Sequence, residues 1–168
     1  DLLKEKFPGK LEFIQADTRD DLSAVFKKEI DAVVHFGAFA SVNESMEDPE
    51  KYFKNNVFGS ENLMSQMLKS NVKNFVFSST CAVYGNPKSV PIDENQPTNP
   101  NNPYGESKGM VERITKWYGQ LRGLNFVVLR YFNVCGASDD GLVGDSKKPS
   151  VHLVQNIVRG VLGIEPFY

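Results

Sequence analysis

Asp31-Ala-Val-Val-His-Phe36 is the stretch that decides how this sequence folds. The run is nearly continuous in apolar residues, which is the pattern of a strand buried within a parallel sheet. Small residues follow it at once, at Gly37, Ala38 and Ala40. Because ligands of parallel α/β sheets bind beyond the carboxyl ends of the strands, we expect a binding edge where this strand ends.

Segments with strand and helix patterns alternate on both sides of this run. The other predicted strands are 11–16, 74–79 and 125–130. The predicted helices are 21–29, 49–70, 104–121 and 150–162. Strands that alternate with helices form βαβ units with right-handed crossovers. The sequence therefore predicts an α/β fold with a Rossmann-like, doubly wound parallel sheet.

The composition excludes several classes of protein. The chain has 168 residues and a net charge of -2, without the basic excess of a nucleic-acid-binding protein. It has no apolar run of the roughly 18 residues that a membrane span requires. Cys81 and Cys135 follow no metal-binding spacing, and we interpret them as free thiols of a cytoplasmic protein. A disulfide between them is the alternative.

Tyr104-Gly-Glu-Ser-Lys108 places a phenol and an ammonium on one face of a predicted helix. There the ammonium of Lys108 can favour the phenolate and lower a pKa that starts near ~10. Thr80 stands at the carboxyl end of the strand predicted at 74–79, and Tyr104 opens the next predicted helix. In a parallel α/β sheet these two places can meet at one crevice. These groups would handle the proton of a secondary alcohol, and a neighbouring hydride acceptor would complete an alcohol–ketone interconversion.

Several motifs resemble those of a known family. The three longest are Ser78-Ser-Thr-Cys-Ala-Val-Tyr-Gly85, Tyr104-Gly-Glu-Ser-Lys108 and Arg130-Tyr-Phe-Asn-Val-Cys-Gly-Ala137. They resemble the extended short-chain dehydrogenase/reductases that act on nucleotide sugars. Val34-His-Phe-Gly-Ala38, and Glu44-Ser45 followed by Asn55-Asn-Val57, narrow the resemblance to the UDP-glucose 4-epimerases. The resemblance covers essentially the whole chain.

The resemblance implies an NAD-dependent interconversion of UDP-galactose and UDP-glucose. NAD would take hydride from C4 of the sugar while Tyr104 removes the O4 proton. The 4-keto sugar would turn over, and hydride would return to its opposite face. Lys108 would lower the pKa of Tyr104 and hold the nicotinamide ribose. Thr80 would hydrogen-bond O4 and help to pass the proton.

The resemblance also implies which residues bind cofactor and substrate. The cofactor positions, with Thr80, Tyr104 and Lys108, are Asp17, Thr18, Phe36, Gly37, Ala38, Phe39, Ala40, Asn55, Tyr131 and Phe132. Asn133 would contact a phosphate or the sugar, and His152 would contact UDP, beside Thr80 and Tyr104. No metal is implied. Asp17 could instead be a helix N-cap, and His152 a surface residue where a helix starts. We interpret His35 as a satisfied buried histidine.

Departures from the family pattern restrict the reaction. Ala40 stands where some members have a lysine near the cofactor pyrophosphate. Dehydratases of nucleotide sugars carry Asp-Glu directly after the threonine, whereas this chain has Cys81-Ala82, which argues against dehydration. The alternatives that stay open are a UDP-glucuronate 4-epimerase or decarboxylase and a catalytically silent nucleotide-sugar-binding relative.

No Gly-x-x-Gly-x-x-Gly loop occurs in the sequence. We therefore interpret the chain as an internal segment of a longer enzyme and expect the segment alone neither to hold NAD tightly nor to turn over. Residues 1–149 would form a partial NAD-binding domain, and 150–168 the beginning of a substrate domain. A homodimer is expected through the helices at 49–70 and 104–121.

Overall fold

The computed structural model describes residues 2–144 and 153–164. It divides into two compact units, Asp1–Arg130 and Tyr131–Tyr168. The domain boundary expected between 149 and 150 stays a prediction. Within the described residues, no helix is both long enough and apolar enough to span a membrane.

A three-stranded sheet organises the first unit. Its strands are β1 (Ala32–His35), β2 (Asn74–Thr80) and β3 (Asn125–Tyr131), in the order β1-β2-β3. β1 and β2 run parallel, with Val34 opposite Val76. The three predicted strands 31–36, 74–79 and 125–130 are thus present, and the α/β, Rossmann-like fold is confirmed.

Helices precede and connect these strands. They are α1 (Leu2–Lys6), α2 (Val42–Glu47), α3 (Pro49–Tyr52), a π-helical segment (Phe53–Phe58), α4 (Gly59–Lys69), a 3₁₀ turn (Cys81–Tyr84) and α5 (Pro103–Arg122). The helix predicted at 49–70 therefore exists, but a π-helical turn interrupts it. Local sequence explains the start of α5, because the Asn102 side chain accepts a hydrogen bond of 2.8 Å from the Gly105 N–H and Pro103 occupies the first helical position.

Two predicted elements are absent from the described structure. Residues 11–16 form no strand and are exposed, and residues 21–29 form hydrogen-bonded turns instead of a helix. A strand requires a hydrogen-bonded neighbour. In the order 3-2-1-4-5-6 of dinucleotide-binding sheets, two other strands lie between the third strand and the fourth. If 11–16 corresponds to the third strand and β1 to the fourth, the two segments are not expected to pair.

The core lies between the sheet and the helices α4 and α5. Its buried apolar residues are Leu22, Phe26, Leu63, Met64, Met67, Val72, Phe75, Phe77, Val111 and Leu124. The other side of β1 is less covered, since Val34 is 56% exposed. Burial thus holds α4 and α5 against the face that carries Phe75 and Phe77 and fixes where α5 begins relative to the end of β2.

The second unit contains α6 (Leu153–Val161) and an antiparallel bridge between Ala137 and Gly144. The Ser138 hydroxyl donates a hydrogen bond of 2.5 Å to Asp140, and that carboxylate also accepts one of 3.1 Å from the Leu142 N–H. The helix predicted at 150–162 is present over its described part.

Candidate active site

Tyr104 and Thr80 meet where β2 ends and α5 begins. The Thr80 side chain caps the 3₁₀ turn by accepting a hydrogen bond of 3.2 Å from the Ala82 N–H. Its hydroxyl is also close enough to the Tyr104 phenol to lower the pKa of that phenol. Gly105 permits this approach, because a Cβ at that position would lie 2.6 Å from the Ala82 carbonyl oxygen. The sequence analysis missed Gly105, although a glycine near the start of a helix signals close packing.

The pKa of Tyr104 moves in the direction opposite to that expected from its spacing with Lys108. Burial of the phenol raises this pKa, hydrogen bonding with Thr80 lowers it, and the nearby Cys81 raises it. The net effect is a raised pKa, so the expected lowering by Lys108 is not present in this arrangement. The physical reason is that desolvation disfavours the phenolate more strongly than the Thr80 hydroxyl stabilises it.

Lys108 lies one helical turn after Tyr104, as its spacing predicts, and its side chain is 3% exposed. Its ammonium donates a hydrogen bond of 2.7 Å to the Ser78 carbonyl oxygen and lies 4.8 Å from the centre of the Phe77 ring. Burial lowers the pKa of Lys108 to about 8. The site therefore holds a buried cation near the end of β2. The carbonyl group that binds this cation belongs to Ser78, two residues before Thr80 along the strand.

His35 is a satisfied buried histidine, as predicted, and it is 4% exposed. Its Nε2 lies 2.8 Å from the Ser60 hydroxyl oxygen, and that hydroxyl donates a hydrogen bond of 2.5 Å to the Asn56 carbonyl oxygen. Since the Ser60 proton is used in this bond, Nε2 must be the donor to Ser60, which assigns the tautomer. Burial, together with the charge of Lys108, lowers the pKa of His35 to about 4 and keeps the ring neutral.

A second tyrosine, Tyr52, packs against Tyr104 with an edge-to-face contact of 6.3 Å between ring centres. Its hydroxyl accepts a hydrogen bond of 3.0 Å from the Ser41 N–H and donates one of 2.7 Å to Glu44. Burial and the Glu44 carboxylate raise the pKa of Tyr52 to about 12. Tyr52 thus stays protonated and forms a rigid wall beside Tyr104, a role that the sequence analysis did not identify.

Asp17, expected on the adenine side of the cofactor, forms an Asx turn and is not a helix N-cap. Its carboxylate accepts hydrogen bonds of 2.9 Å from both the N–H and the Nε of Arg19, and one of 2.6 Å from Nη2. These bonds lower the pKa of Asp17 to about 2, so the carboxylate is ionised at neutral pH. Thr18 is half-buried beside it, and its hydroxyl lies 2.6 Å from where a Cβ at Gly59 would stand.

The strand-end run 36–40 follows β1 directly, as predicted. Phe36, Gly37 and Ala40 are exposed, whereas Ala38 and Phe39 are half-buried. The backbone of Phe39 is held by the buried Asn56 through two hydrogen bonds, of 2.9 Å and 3.0 Å. Asn55, the expected cofactor contact, donates a hydrogen bond of 3.0 Å to the Asn56 side chain. The π-helical segment thus supports this run.

Behind Thr80 lies a buried charged network that no sequence pattern indicated. Glu112 accepts hydrogen bonds of 3.0 Å and 2.7 Å from the Arg130 guanidinium and one of 2.5 Å from the Ser79 hydroxyl. Arg130 also donates a hydrogen bond of 2.8 Å to the Tyr84 hydroxyl. The Glu112 carboxylate raises the pKa of Arg130 further above its ordinary value. The network ties α5 and β3 to both ends of the segment 79–84.

Three expected site residues lie in the described part of the second unit. Tyr131 is the last residue of β3, and Phe132 and Asn133 follow it as exposed residues. His152 lies outside the described residues, so its expected contact with UDP stays a prediction. The structure therefore brings together Thr80, Tyr104 and Lys108 within the first unit and places the run 36–40 and Asn55 around Asn56.

The chain resembles known proteins in sequence and in structure. Residues 3–163 match the model of the NAD dependent epimerase/dehydratase family. A UDP-glucose 4-epimerase of Lacticaseibacillus casei is 51% identical over 154 residues, which are 90% of this chain and 46% of that protein. The crystal structure of the Brucella ovis UDP-glucose 4-epimerase in complex with NAD superimposes with a TM-score of 0.84 at 39% identity, covering 92% of this chain and 48% of that one.

The Bifidobacterium longum UDP-glucose 4-epimerase, in complex with NAD⁺ and UDP, gives a TM-score of 0.86 at 35% identity, covering 98% of this chain and 51% of that chain. The chain thus spans about half the length of the relatives it matches.

Proposed function

Since this chain belongs to the NAD dependent epimerase/dehydratase family, we propose that the protein interconverts UDP-galactose and UDP-glucose. The resemblance to UDP-glucose 4-epimerases indicated by the sequence motifs is confirmed by the family match and by the relatives. The observation that carries the proposal for this chain is the placement of Thr80, Tyr104 and Lys108 where β2 ends and α5 begins. A phenol beside a hydroxyl forms a path for the proton of a sugar hydroxyl.

The described residues fit a dinucleotide in their chemistry. The ionised Asp17 carboxylate can accept a hydrogen bond from the amino group of an adenine, and Thr18 lies beside it. The small residues at 37, 38 and 40 leave room along the strand end for an extended ligand. Asn55, Tyr131 and Phe132 are the further residues proposed to hold NAD, and Lys108 would hold its nicotinamide ribose.

NAD would supply the redox chemistry, because it accepts hydride from C4 of the sugar and returns it to the opposite face once the 4-keto sugar has rotated. Tyr104 would take the O4 proton during oxidation and give it back during reduction, so no proton is consumed overall. Thr80 would hydrogen-bond O4 and hold it at the phenol. Lys108 is proposed to act through the nicotinamide ribose, since burial raises the pKa of Tyr104 and no lowering by the Lys108 ammonium is present in this arrangement. Asn133 and His152 are proposed to bind the UDP-sugar.

Loss of water from the sugar is disfavoured by the side chains that follow Thr80. Cys81 and Ala82 begin the 3₁₀ turn, and neither carries the carboxylate that would expel a hydroxyl group from the sugar. The proposal is therefore an isomerase of the family and not a dehydratase.

An apolar groove of about 450 Å³ between the π-helical segment and α5 supports a homodimer as the proposed assembly. Its lining residues are Phe53, Val57, Phe58, Glu61, Met110 and Ile114. Apolar side chains from two helices of each copy would bury this surface in a four-helix arrangement.

A coupled assay on the full-length protein tests the function. UDP-galactose is supplied, and the UDP-glucose formed is oxidised by added UDP-glucose dehydrogenase, so that its NADH absorbance reports the rate. Tyr104→Phe serves as the inactive control. Sustained NADH formation by the wild type supports the proposal. Epimerisation or decarboxylation of UDP-glucuronate with no turnover of UDP-galactose would reassign the substrate. Bound NAD without turnover of any of these sugars would favour a catalytically silent binding protein.

A further inference from the structure

We infer that Asn62 is a positioning residue that holds the turn 17–20 in the shape that recognises the adenine ring of NAD. The inference rests on the proposed function, because it takes the Asp17 carboxylate as the acceptor for the adenine amino group. It adds a residue to which neither the motifs nor the comparisons give a role. Asn62 is half-buried and lies in α4, away from the catalytic residues of α5 in sequence.

The turn 17–20 is shaped by its own hydrogen bonds. The Asp20 N–H donates a bond of 3.1 Å to the Asp17 carbonyl oxygen, which closes the turn. The Asp17 carboxylate accepts bonds from the backbone and the guanidinium of Arg19. All these bonds lie within the turn, so they orient the carboxylate relative to the turn without attaching the turn to another element.

The Asn62 side chain attaches this turn to α4. Its Nδ2 donates a hydrogen bond of 2.8 Å to the Thr18 carbonyl oxygen and one of 2.9 Å to the Asp20 carbonyl oxygen. An amide nitrogen carries two protons, and both are used here. The two carbonyl groups lie on either side of Arg19 in sequence, so a single side chain fixes the backbone around the residue that orients the Asp17 carboxylate.

One face of α4 is built to receive the turn. Gly59, Asn62 and Gln66 share this face, since they are spaced by three and four residues. A Cβ at Gly59 would lie 2.6 Å from the Thr18 hydroxyl oxygen, so the glycine lets the helix pack directly against the turn. Gln66 donates a bond of 2.8 Å to the Asp20 carbonyl and accepts one of 2.6 Å from the Leu22 N–H. Gln66 thus holds the chain as it leaves the turn, whereas Asn62 holds the part next to Asp17.

A fixed turn matters for the proposed recognition of adenine. A hydrogen bond requires its donor and acceptor within a few tenths of an ångström of the best distance. Asp17 is only half-buried, so a loose turn would leave its carboxylate bonded to water. A site that is already ordered avoids the cost of ordering it when the ligand binds. Asn62 is therefore expected to serve binding and selection of the adenine, and to leave the chemistry at C4 of the sugar unchanged.

The test is a competition on the full-length protein between NAD and an analogue in which hydrogen replaces the 6-amino group of the adenine. The protein is equilibrated with both dinucleotides, desalted rapidly, and the bound molecules are quantified by chromatography. The wild type is expected to prefer NAD by roughly 10-fold or more, because a hydrogen bond to a charged group has an effect of that size. Asn62→Ala is expected to lose most of this preference and to release NAD roughly 10-fold faster.

Gln66→Ala is the matched control, because it removes a neighbouring amide that also bonds the Asp20 carbonyl from α4. Both variants are expected to unfold at lower temperature, but Gln66→Ala should keep the preference of the wild type for NAD. In Asn62→Ala saturated with NAD, kcat should stay within about twofold of the wild type, since the interaction lost is not one made in the transition state. This combination separates positioning at the adenine from general support of the fold.

Two results would overturn the inference. One is a preference for NAD in Asn62→Ala equal to that of Gln66→Ala, and the other is a wild type without any preference. Asn62→Leu keeps most of the side-chain volume and removes the amide donor. If Asn62→Ala does not fold, a preference in Asn62→Leu equal to that of the wild type overturns the inference, and a lost preference supports it.

Failure of the proposed function has a different signature. A wild-type protein that holds NAD but turns over no UDP-sugar would refute the proposed reaction, and the competition would still decide the role of Asn62. A wild-type protein that turns over UDP-galactose while Asn62→Ala keeps its preference would refute the inference and leave the reaction intact. A wild type that binds neither dinucleotide would refute both.

Discussion

The ammonium of Lys108 donates a hydrogen bond of 2.7 Å to the Ser78 carbonyl oxygen, within the strand that ends at Thr80. A single buried carbonyl replaces little of the hydration that an ammonium has in water, and burial accordingly lowers the pKa of Lys108 to about 8. The unfolded chain binds this proton up to a pH near ~10.4. The folded protein therefore carries a destabilising charge at the place where catalysis is proposed to need one.

Replacing Lys108 with methionine is expected to make the protein more stable and less active. The lowered pKa corresponds to about 3 kcal/mol of destabilisation at pH 7, and loss of the bond to Ser78 returns roughly 1 kcal/mol. Urea unfolding at pH 7 should thus show a gain of about 1–2 kcal/mol, together with a large loss of turnover in the coupled assay.

A pH series sharpens this prediction. Between about 8 and about 10.4 the unfolded chain binds the Lys108 proton and the folded protein has released it. The wild type should therefore gain stability relative to Lys108→Met as pH rises through this window. A parallel pH dependence of the two proteins would contradict the buried-charge explanation.

Tyr104→Phe is expected to lower kcat by roughly 10²- to 10⁴-fold, the range for loss of a general acid/base. Binding of UDP should change little, because the phenol is proposed to act on O4 of the sugar. Turnover is followed by the coupled assay and UDP binding by calorimetry. Tyr52→Phe is the comparison variant. The Tyr52 hydroxyl forms hydrogen bonds with Ser41 and Glu44 and stays protonated. An unchanged rate in Tyr104→Phe would remove Tyr104 from its assigned role.

His35 gives the fold a defined acid sensitivity. Its pKa is about 4 in the folded protein, against 6.5 as the ordinary value. Between these pH values the unfolded chain binds the proton and the folded protein does not, so stability falls as pH drops from 6.5 and levels off below about 4. The full loss amounts to about 3 kcal/mol.

His35→Gln provides the control, because a glutamine amide can donate to Ser60 but does not titrate. Urea unfolding at several pH values between 7 and about 4 should show a steeper loss for the wild type than for His35→Gln. Equal slopes would show that His35 does not stay neutral on folding.

Local sequence was sufficient to predict the parts of the fold that depend on nearby residues. The strand 74–80 and the helix 103–122 have strong apolar patterns, and Asn102 with Pro103 starts the helix by chemistry visible in the sequence. The motif resemblance identified the family. The pairing of Tyr104 with Thr80 also follows from the order of the strand ends in a parallel sheet.

The predictions that were wrong or missing concern features that tertiary contacts determine. Residues 11–16 have the composition of a strand, but a strand depends on its neighbours as well as on its own propensity. The direction of the Tyr104 pKa depends on how deeply α5 is buried, which spacing does not reveal. The pair Glu112 and Arg130 is 18 residues apart with no pattern linking them. Only the unfavourable Asn55-Asn56 pair signalled that the long helix was irregular.

The Glu112–Arg130 pair is expected to support Thr80 from behind. Glu112→Gln leaves the Arg130 guanidinium buried without its partner charge and should lower the free energy of unfolding by about 3 kcal/mol. It also weakens the hold on Ser79, the neighbour of Thr80, so kcat should fall as well. Glu50→Gln is the control, because the Glu50–Lys54 pair is exposed and should leave urea unfolding unchanged. Equal stability of the two variants would contradict this assignment.

The apolar groove between the π-helical segment and α5 predicts which substitution would disrupt the proposed homodimer. Phe58 lines the groove and is 54% exposed, which is costly for a large aromatic side chain unless another surface covers it. Phe58→Arg would bring a charge into the proposed interface and should convert the full-length dimer into a monomer in sedimentation velocity. Val90→Arg alters an apolar residue that is still more exposed but lies in the loop before α5, so it should leave the dimer intact. A Phe58→Arg protein that remains dimeric while Val90→Arg dissociates would place the interface elsewhere.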